Sequence, residues 1–456
     1  MSRIVVATGD VLGAAMAGPA IRAWQFAAAL SAEHEVRLVS TAACTREPDP
    51  RFGIGLLTDV PTDVDVWVVQ GSVLQNFPAI AESAACVVVD LYDPYHLENL
   101  ELSRDRAHRD RMAVVHNATV VLNRAMRRGD FFLAASDKQR DFWIGALASL
   151  GRVNALTYDA DPSLRSLLDL VPFGVDPVPP APGPALRGVM PGIGQDDAVL
   201  LWGGGLYNWF DPQTLVRAVD EVRRTRDDVR LVFLGGKHPN PAVPAMRTAH
   251  ETRVLADELG LTGTHVFFND GWVPYDERGA YLLEADIGVS THLDHVETAF
   301  SFRTRILDYL WAGLPVVATG GDVFSDVISA AGIGRTVPAE DVEALAVALL
   351  SLLDDDQARK ACAQSARELA SAYHWEVVLA PLLAYCRAPK RAPDLLDPIA
   401  QWNLQRPFDP VRAPTPEPGW RGEVALARQY LERGGAGLLA RRVATRALKL
   451  ARGRRS

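Results

Sequence analysis

Ala198-Val199-Leu200-Leu201-Trp202-Gly203-Gly204-Gly205, followed shortly by Asp211-Pro212, is the stretch that decides the fold. Its five leading apolar residues are the pattern of a parallel strand buried on both faces. The glycines let the backbone turn tightly and bring N–H groups close to an anion. Asp211 suits a helix N-cap and Pro212 the first helical position, so a helix is expected from Pro212 to Arg224. A tight strand-to-helix turn with no ligand fits the glycines as well.

The same alternation extends in both directions. Downstream, strands are expected at Val229–Leu234, His265–Phe268, Ile287–Ser290 and Val316–Thr319, with a helix at Met246–Leu259. Upstream, seven prolines between Pro172 and Pro191 forbid helix and central strand, which marks a linker. Before the linker the pattern repeats: strands at Arg3–Ala7, His34–Val39, Val64–Gln70, Cys86–Asp90 and Phe131–Ala135, with helical stretches between. Repeated βα units imply parallel sheets with helices on both faces, and ligands sit beyond the strands' carboxyl ends. The chain therefore reads as α/β, two Rossmann-like domains facing a cleft, plus a C-terminal helical extension. The boundaries are 1–175, a linker over 176–197, 198–374, a closing helix over 375–388, and a Pro-rich segment with a basic helix over 389–456.

Composition narrows the function. The 456 residues carry 47 Lys plus Arg against 56 Asp plus Glu, a net charge of −9, which argues against a nucleic-acid partner. Cys44, Cys86, Cys362 and Cys386 form no CxxC pair and no zinc spacing, and read as buried free thiols of a reducing compartment. Ile4-Val5-Val6-Ala7 is too short for a signal-peptide core. No apolar run reaches the ~20 residues of a membrane span. The expected location is the cytoplasm, with the inner face of a membrane as a peripheral alternative.

The chemistry concentrates in Ala285-Asp286-Ile287-Gly288-Val289-Ser290, a polar loop, Glu297-Thr298-Ala299-Phe300-Ser301-Phe302-Arg303-Thr304-Arg305, Asp308 and finally Gly313-Leu314-Pro315-Val316-Val317. One carboxylate precedes a helix, a second lies inside it, and Gly-x-Pro-Val-Val ends it. This resembles the donor-binding signature of retaining GT-B glycosyltransferases, in particular glycosyltransferase family 4. Val171-Pro172-Phe173-Gly174-Val175-Asp176 is similar to that family's interdomain segment. The resemblance covers about residues 1 to 388 and is most specific between 284 and 320.

It implies an enzyme that transfers a sugar from a nucleotide-sugar to a hydroxyl acceptor with retention. The acceptor would be a cell-surface glycan, a lipid-linked saccharide or a natural product. The nucleotide-sugar is a substrate, so no cofactor is expected, and no metal. His292, Asp294 and His295 lie close in sequence but the family generally needs no divalent ion. By resemblance, Asp308 accepts the ribose hydroxyls and Glu297 lies near the donor sugar. Phe302, Arg303 and Thr304 form the helix head that meets the diphosphate, where Arg303 and Arg305 bring positive charge. Gly18, Gly204 and Gly205 approach the donor, and Trp272 and Val273 flank the base. Asp93 and His96 contact the transferred sugar. The expected catalytic set is Asp93, His96, Glu297 and Arg303.

Two departures stand out. Glu297 and Asp308 are more widely spaced than the family's acids, and the second is Asp rather than Glu. Leu206-Tyr207-Asn208-Trp209-Phe210 lacks the cations the family places after its Gly-rich strand. Lys237 and Arg303 are the expected replacements. Ser136 with Gln139 reads as a structural capping box. A nucleotide-sugar epimerase-like enzyme and a non-catalytic GT-B subunit that scaffolds glycan assembly remain alternatives. In the tail, seven basic residues from Arg441 to Arg455 border an apolar stripe at Leu439, Val443, Ala447 and Leu450. That is the pattern of a helix on an anionic membrane, and equally of a solvated or docked basic helix.

Overall fold

The computed structural model describes residues 1–58 and 60–405, together with Val424, Ala427 and Arg428. The chain divides into two compact units, Met1–Gln405 and Arg406–Ser456. Both sheets lie in the first. The basic stripe of the tail falls outside the described residues.

The first sheet has seven parallel strands in the order β3-β2-β1-β4-β5-β6-β7. They are β1 (Arg3–Thr8), β2 (Glu35–Ser40), β3 (Gly53–Leu56), β4 (Val66–Gln70), β5 (Cys86–Asp90), β6 (Phe131–Ala134) and β7 (Leu168–Leu170). The second sheet runs β10-β9-β8-β11-β12-β13. Its strands are β8 (Ala198–Gly205), β9 (Val229–Gly235), β10 (Val266–Phe268), β11 (Ile287–Ser290), β12 (Val316–Thr319) and β13 (Gly334–Val337). Every pairing is parallel. Strand order reverses between β1 and β4, and again between β8 and β11. Each reversal leaves a crevice above the strand ends where a ligand can enter.

Most expected strands stand within a residue or two. Three further strands, β3, β7 and β13, complete the sheets. The Gly-rich stretch is a continuation of β8 rather than a loop: Gly205 still pairs with Gly235, across a bulge after Trp202. A Cβ on Gly235 would sit 2.3 Å from the Gly204 carbonyl carbon, so only glycine permits this approach. Asp211 caps the Pro212–Val222 helix by accepting from the Thr214 N–H at 3.1 Å, as expected.

Buried charge holds the first sheet to its neighbours. Arg22, fully buried in the Gly18–Leu30 helix, donates to both Asp90 carboxylate oxygens at 2.7 and 2.9 Å. It also donates to the carbonyls of Val171 and Pro172, and Gln70 completes the Asp90 shell at 2.9 Å. The Arg is thus satisfied on both sides, as a charge in so dry a place must be.

The chain crosses between the sheets twice. The second crossing lies beside the first: the Val175 N–H donates to the Tyr373 carbonyl at 2.8 Å, and the Trp375 N–H to the Val175 carbonyl at 3.1 Å. Trp375 packs directly on Gly174, where a Cβ would lie 2.7 Å from the indole. The expected closing helix is two short helices, Trp375–Val378 and Ala380–Arg387, and they return to the first sheet. There the Tyr385 ring stacks on Phe131 at 4.6 Å.

The Pro-rich residues that follow start out irregular, as expected, and are anchored by buried charge. Asp394 forms a fully buried ion pair with Arg152, Nε to Oδ2 at 2.6 Å. Arg391 and the Ala392 N–H both donate to Asp130. The four cysteines are free, with Cys44 partly exposed and the others buried.

Candidate functional site

The carboxyl ends of both sheets open on one cleft of about 710 Å³. Its two walls touch. Asn240 donates to Asp10 Oδ1 at 3.0 Å, the Trp272 indole to the Met16 carbonyl at 3.2 Å, and Gln139 to the Phe300 carbonyl at 2.9 Å. Only half of the expected capping box forms: the Gln139 N–H bonds Ser136 Oγ, but its side-chain oxygen accepts from the Ala135 N–H at 2.9 Å, and its amide nitrogen bridges Tyr92 and Phe300 across the walls.

The second sheet supplies one wall. Gly204 and Gly205 line it at the end of β8, Gly204 with a φ of +100° that only glycine adopts without strain. Trp272 and Val273 line it beyond β10. The head of the Thr304–Ala312 helix faces the cleft with Ser301, Phe302, Arg303, Thr304 and Arg305. No side chain caps that helix, which leaves its first N–H groups and the positive end of its dipole directed at the site. One turn on, Asp308 also lines the cleft, where its Oδ1 accepts from Arg278 Nε at 3.0 Å. Arg278 in turn lies over the rings of Tyr275 and Trp311.

Glu297 sits in an extra short helix, Val296–Phe300, which absorbs the widened spacing to Asp308. It is 1% exposed and accepts from Arg303 Nη1 and Nη2 at 2.8 and 2.7 Å. The two charges cancel in place. Arg303 is therefore not a free cation, and Glu297 is held as its partner.

Arg305 differs. Its guanidinium lies in the corner made by Trp202 and Phe210, whose rings meet edge to face at 88°, at 4.3 and 4.2 Å from the ring centroids, and donates only to the Gly205 carbonyl, at 3.0 Å. Its Nη1 is buried with no acceptor. Burial pushes its pKa down to about 10.

The first sheet supplies the opposite wall. Gly18 opens the Gly18–Leu30 helix there, and Asp93 follows β5. Asp93 is pushed up to about 7 by burial, and by the nearby Glu297 and Asp90 carboxylates. Its neighbour Glu98 is raised too, by burial and by Asp93 itself. Desolvated carboxyls set beside one another each favour the protonated form.

Two expected site residues lie elsewhere. His96 does not line the cleft: its ring packs on Phe142 and Trp143, each at 5.7 Å, and burial drives its pKa down to about 4, so it is neutral. His96 stands on the Tyr95–Leu102 helix beyond the turn, and its ring is received by the Asp137–Ser149 helix rather than by the cleft. Lys237 is exposed and borders a separate small pocket with Arg253 and Asp270, behind Gly235 and Gly236. The turn after β9 carries it away from the cleft. Among the described residues no group of three or more His, Cys, Asp or Glu is placed to hold a metal ion. His292 is instead buried, with Nε2 3.6 Å from Asp322. No helix of the described residues is long and apolar enough to cross a membrane.

Residues 197–355 match the family model described as "Glycosyl transferases group 1". The chain is 31% identical over 129 residues to a phosphatidyl-myo-inositol mannosyltransferase of Mycolicibacterium smegmatis, covering 28% of this chain and 32% of that protein. It is 28% identical over 306 residues to a D-inositol 3-phosphate glycosyltransferase of Kineococcus radiotolerans, covering 60% and 65%. The chain thus spans less than two thirds of the length of these relatives. Among solved structures, a sucrose-phosphate synthase from Thermosynechococcus elongatus superposes with a TM-score of 0.62 at 15% identity, over 85% of this chain and 98% of the other. The Anabaena protein HepE in complex with UDP-glucose gives 0.61 at 14% identity, over 86% and 100%. The architecture is the GT-B fold of these glycosyltransferase structures.

Proposed function

We propose that this protein is a glycosyltransferase that moves a sugar from a nucleotide-sugar to a hydroxyl acceptor with retention. The observation that carries the reading is the uncapped head of the Thr304–Ala312 helix, turned into the cleft with Asp308 one turn behind it. A helix head suits a diphosphate, and a carboxylate at that depth suits the two ribose hydroxyls beyond it. Asp308 Oδ1 is held by Arg278, which fixes the carboxylate for that contact. Trp272 and Val273 offer an apolar surface to the base. The names of the inositol-directed relatives and of the UDP-glucose complex support a nucleotide-sugar donor and a polyol acceptor, lipid-linked or free.

In the reaction the bond from the anomeric carbon to the phosphate oxygen breaks, and its electron pair leaves with the phosphate. The acceptor oxygen forms the new bond on the same face and passes its proton to the departing phosphate. The protein's share is orientation and the stabilisation of charge on the leaving group. One observation favours a second reading, inversion: Asp93, raised toward neutrality on the opposite wall, is suited to take the acceptor proton itself.

The test is incubation with UDP- and GDP-sugars, following slow donor hydrolysis and then transfer to polyol acceptors. The anomeric configuration of the product, read by NMR, separates retention from inversion. An epimerised donor without transfer would replace the proposal with the epimerase reading. Absence of both hydrolysis and nucleotide binding would leave a non-catalytic subunit.

A further inference from the structure

Six carboxylates line the cleft: Asp10, Asp90, Asp93, Glu98, Glu297 and Asp308. Three arginines face them, Arg278, Arg303 and Arg305. Arg278 is taken by Asp308 and Arg303 by Glu297. Arg305 alone among these three has no carboxylate, and it is 7% exposed. A desolvated guanidinium without a counter-ion is costly, so its environment must either lower its charge or await an anion. Trp202 and Phe210, set at 88° to each other, enclose the group in their corner but do not cancel its charge. Nη1 is left with a proton to donate and nothing to receive it.

We propose that Arg305 is the cation that grips the donor diphosphate. It does so from the second residue of the Thr304–Ala312 helix, beside Gly205, whose carbonyl it already holds. This assignment rests on the nucleotide-sugar reading above. It fills the role that Leu206–Phe210, with no charged side chain, leaves open. The aromatic residues of that same segment have a different part. Phe210 forms one side of the clamp that aims Arg305, and Tyr207 stacks on Trp209 at 4.8 Å. The helix head and the guanidinium then converge on one anion, the first through N–H groups and the second through a planar fork. As the sugar leaves, negative charge on the phosphate grows where Arg305 stands. The residue therefore contributes to turnover as well as to binding.

The test is calorimetric titration of the full chain with UDP and GDP, each paired with its own nucleoside. The wild type is expected to prefer the diphosphate to the nucleoside. Arg305→Met should bind the diphosphate about ten- to a hundredfold more weakly and the nucleoside unchanged, the scale of charge-assisted hydrogen bonds. Arg305→Lys should also lose about tenfold, because a point charge does not replace a planar fork. With the donor sugar, both should lose kcat beyond the loss in binding. Lys237→Met should behave as wild type. Wild type that binds neither diphosphate would remove the donor reading and this assignment with it. Wild type that binds, with Met and Lys variants that bind equally well, would overturn only the assignment to Arg305. If the Met variant does not fold, the Lys variant decides by the same comparison.

Discussion

Asp308→Ala is the most direct probe of how the cleft reads a nucleotide. The carboxylate has one oxygen on Arg278 and is 34% exposed, so its ion pair is partly screened by solvent. Such a pair contributes about 0.2–1 kcal/mol to stability. The alanine variant should therefore unfold close to wild type. Ribose hydroxyls donating to an anion are a different matter. Hydrogen bonds to a charged group contribute about 1.5–3 kcal/mol, a loss of roughly ten- to a hundredfold in affinity. The assay is titration of wild type and variant with a nucleoside diphosphate and with its 2′,3′-dideoxy analogue. The variant should lose affinity for the first ligand only. Arg278→Met separates the two roles: it loses the pair but keeps the carboxylate, and should bind the ribonucleotide better than Asp308→Ala does. An equal loss on the dideoxy analogue would show that Asp308 acts by shaping the cleft, and would refute the ribose contact.

Three other expectations concern buried charge. Asp93 is raised from 3.8 to about 7, so the folded state holds a proton that the unfolded chain releases. Its contribution to stability is present below pH 4 and is lost as pH rises toward 7, and Asp93→Asn should flatten the melting temperature over that range. A wild type equally stable from pH 4 to 7 would contradict the raised value. Glu297→Gln removes the charge from a pair whose side chains are 2% and 4% exposed, costing about 3 kcal/mol in urea unfolding. The double variant with Arg303→Gln should be no less stable than the single, since neither charge is then stranded. Asp394→Asn should cost about 3–5 kcal/mol in urea unfolding by leaving Arg152 unpaired, and an unchanged stability would refute the buried pair.

How much of this was readable beforehand depends on how local each signal is. Strands such as Cys86–Asp90 announce themselves because consecutive β-branched residues can only be buried on both faces. Gly53–Leu56 and Leu168–Leu170 do not, because a short strand rich in glycine or charge carries no such run. Gly203–Gly205 looked like a turn, and its strand character depends on Gly235 thirty residues away. In the site, Glu297, Arg303 and Asp308 were found because they share one local pattern on adjoining helices. That Glu297 would neutralise Arg303 was not legible, nor that Arg305 would remain free, since both depend on side-chain direction. His96 and Lys237 fail for the same reason. Each follows a strand end correctly located in sequence, yet the turn after it points the residue elsewhere. Arg152 and Asp394 lie 242 residues apart, and no spacing rule connects them.

The doubled crossing near Val175 has a mechanical consequence. One covalent connection would let the two sheets swivel about it in any direction. Two strands of chain laid side by side and tied by two backbone hydrogen bonds resist torsion, because twisting would shear both bonds at once. Bending across the pair strains them least, and the absent side chain at Gly174 leaves the Trp375 ring seated against the bend. A joint of this kind is stiffer against twisting than a single strand of chain would be.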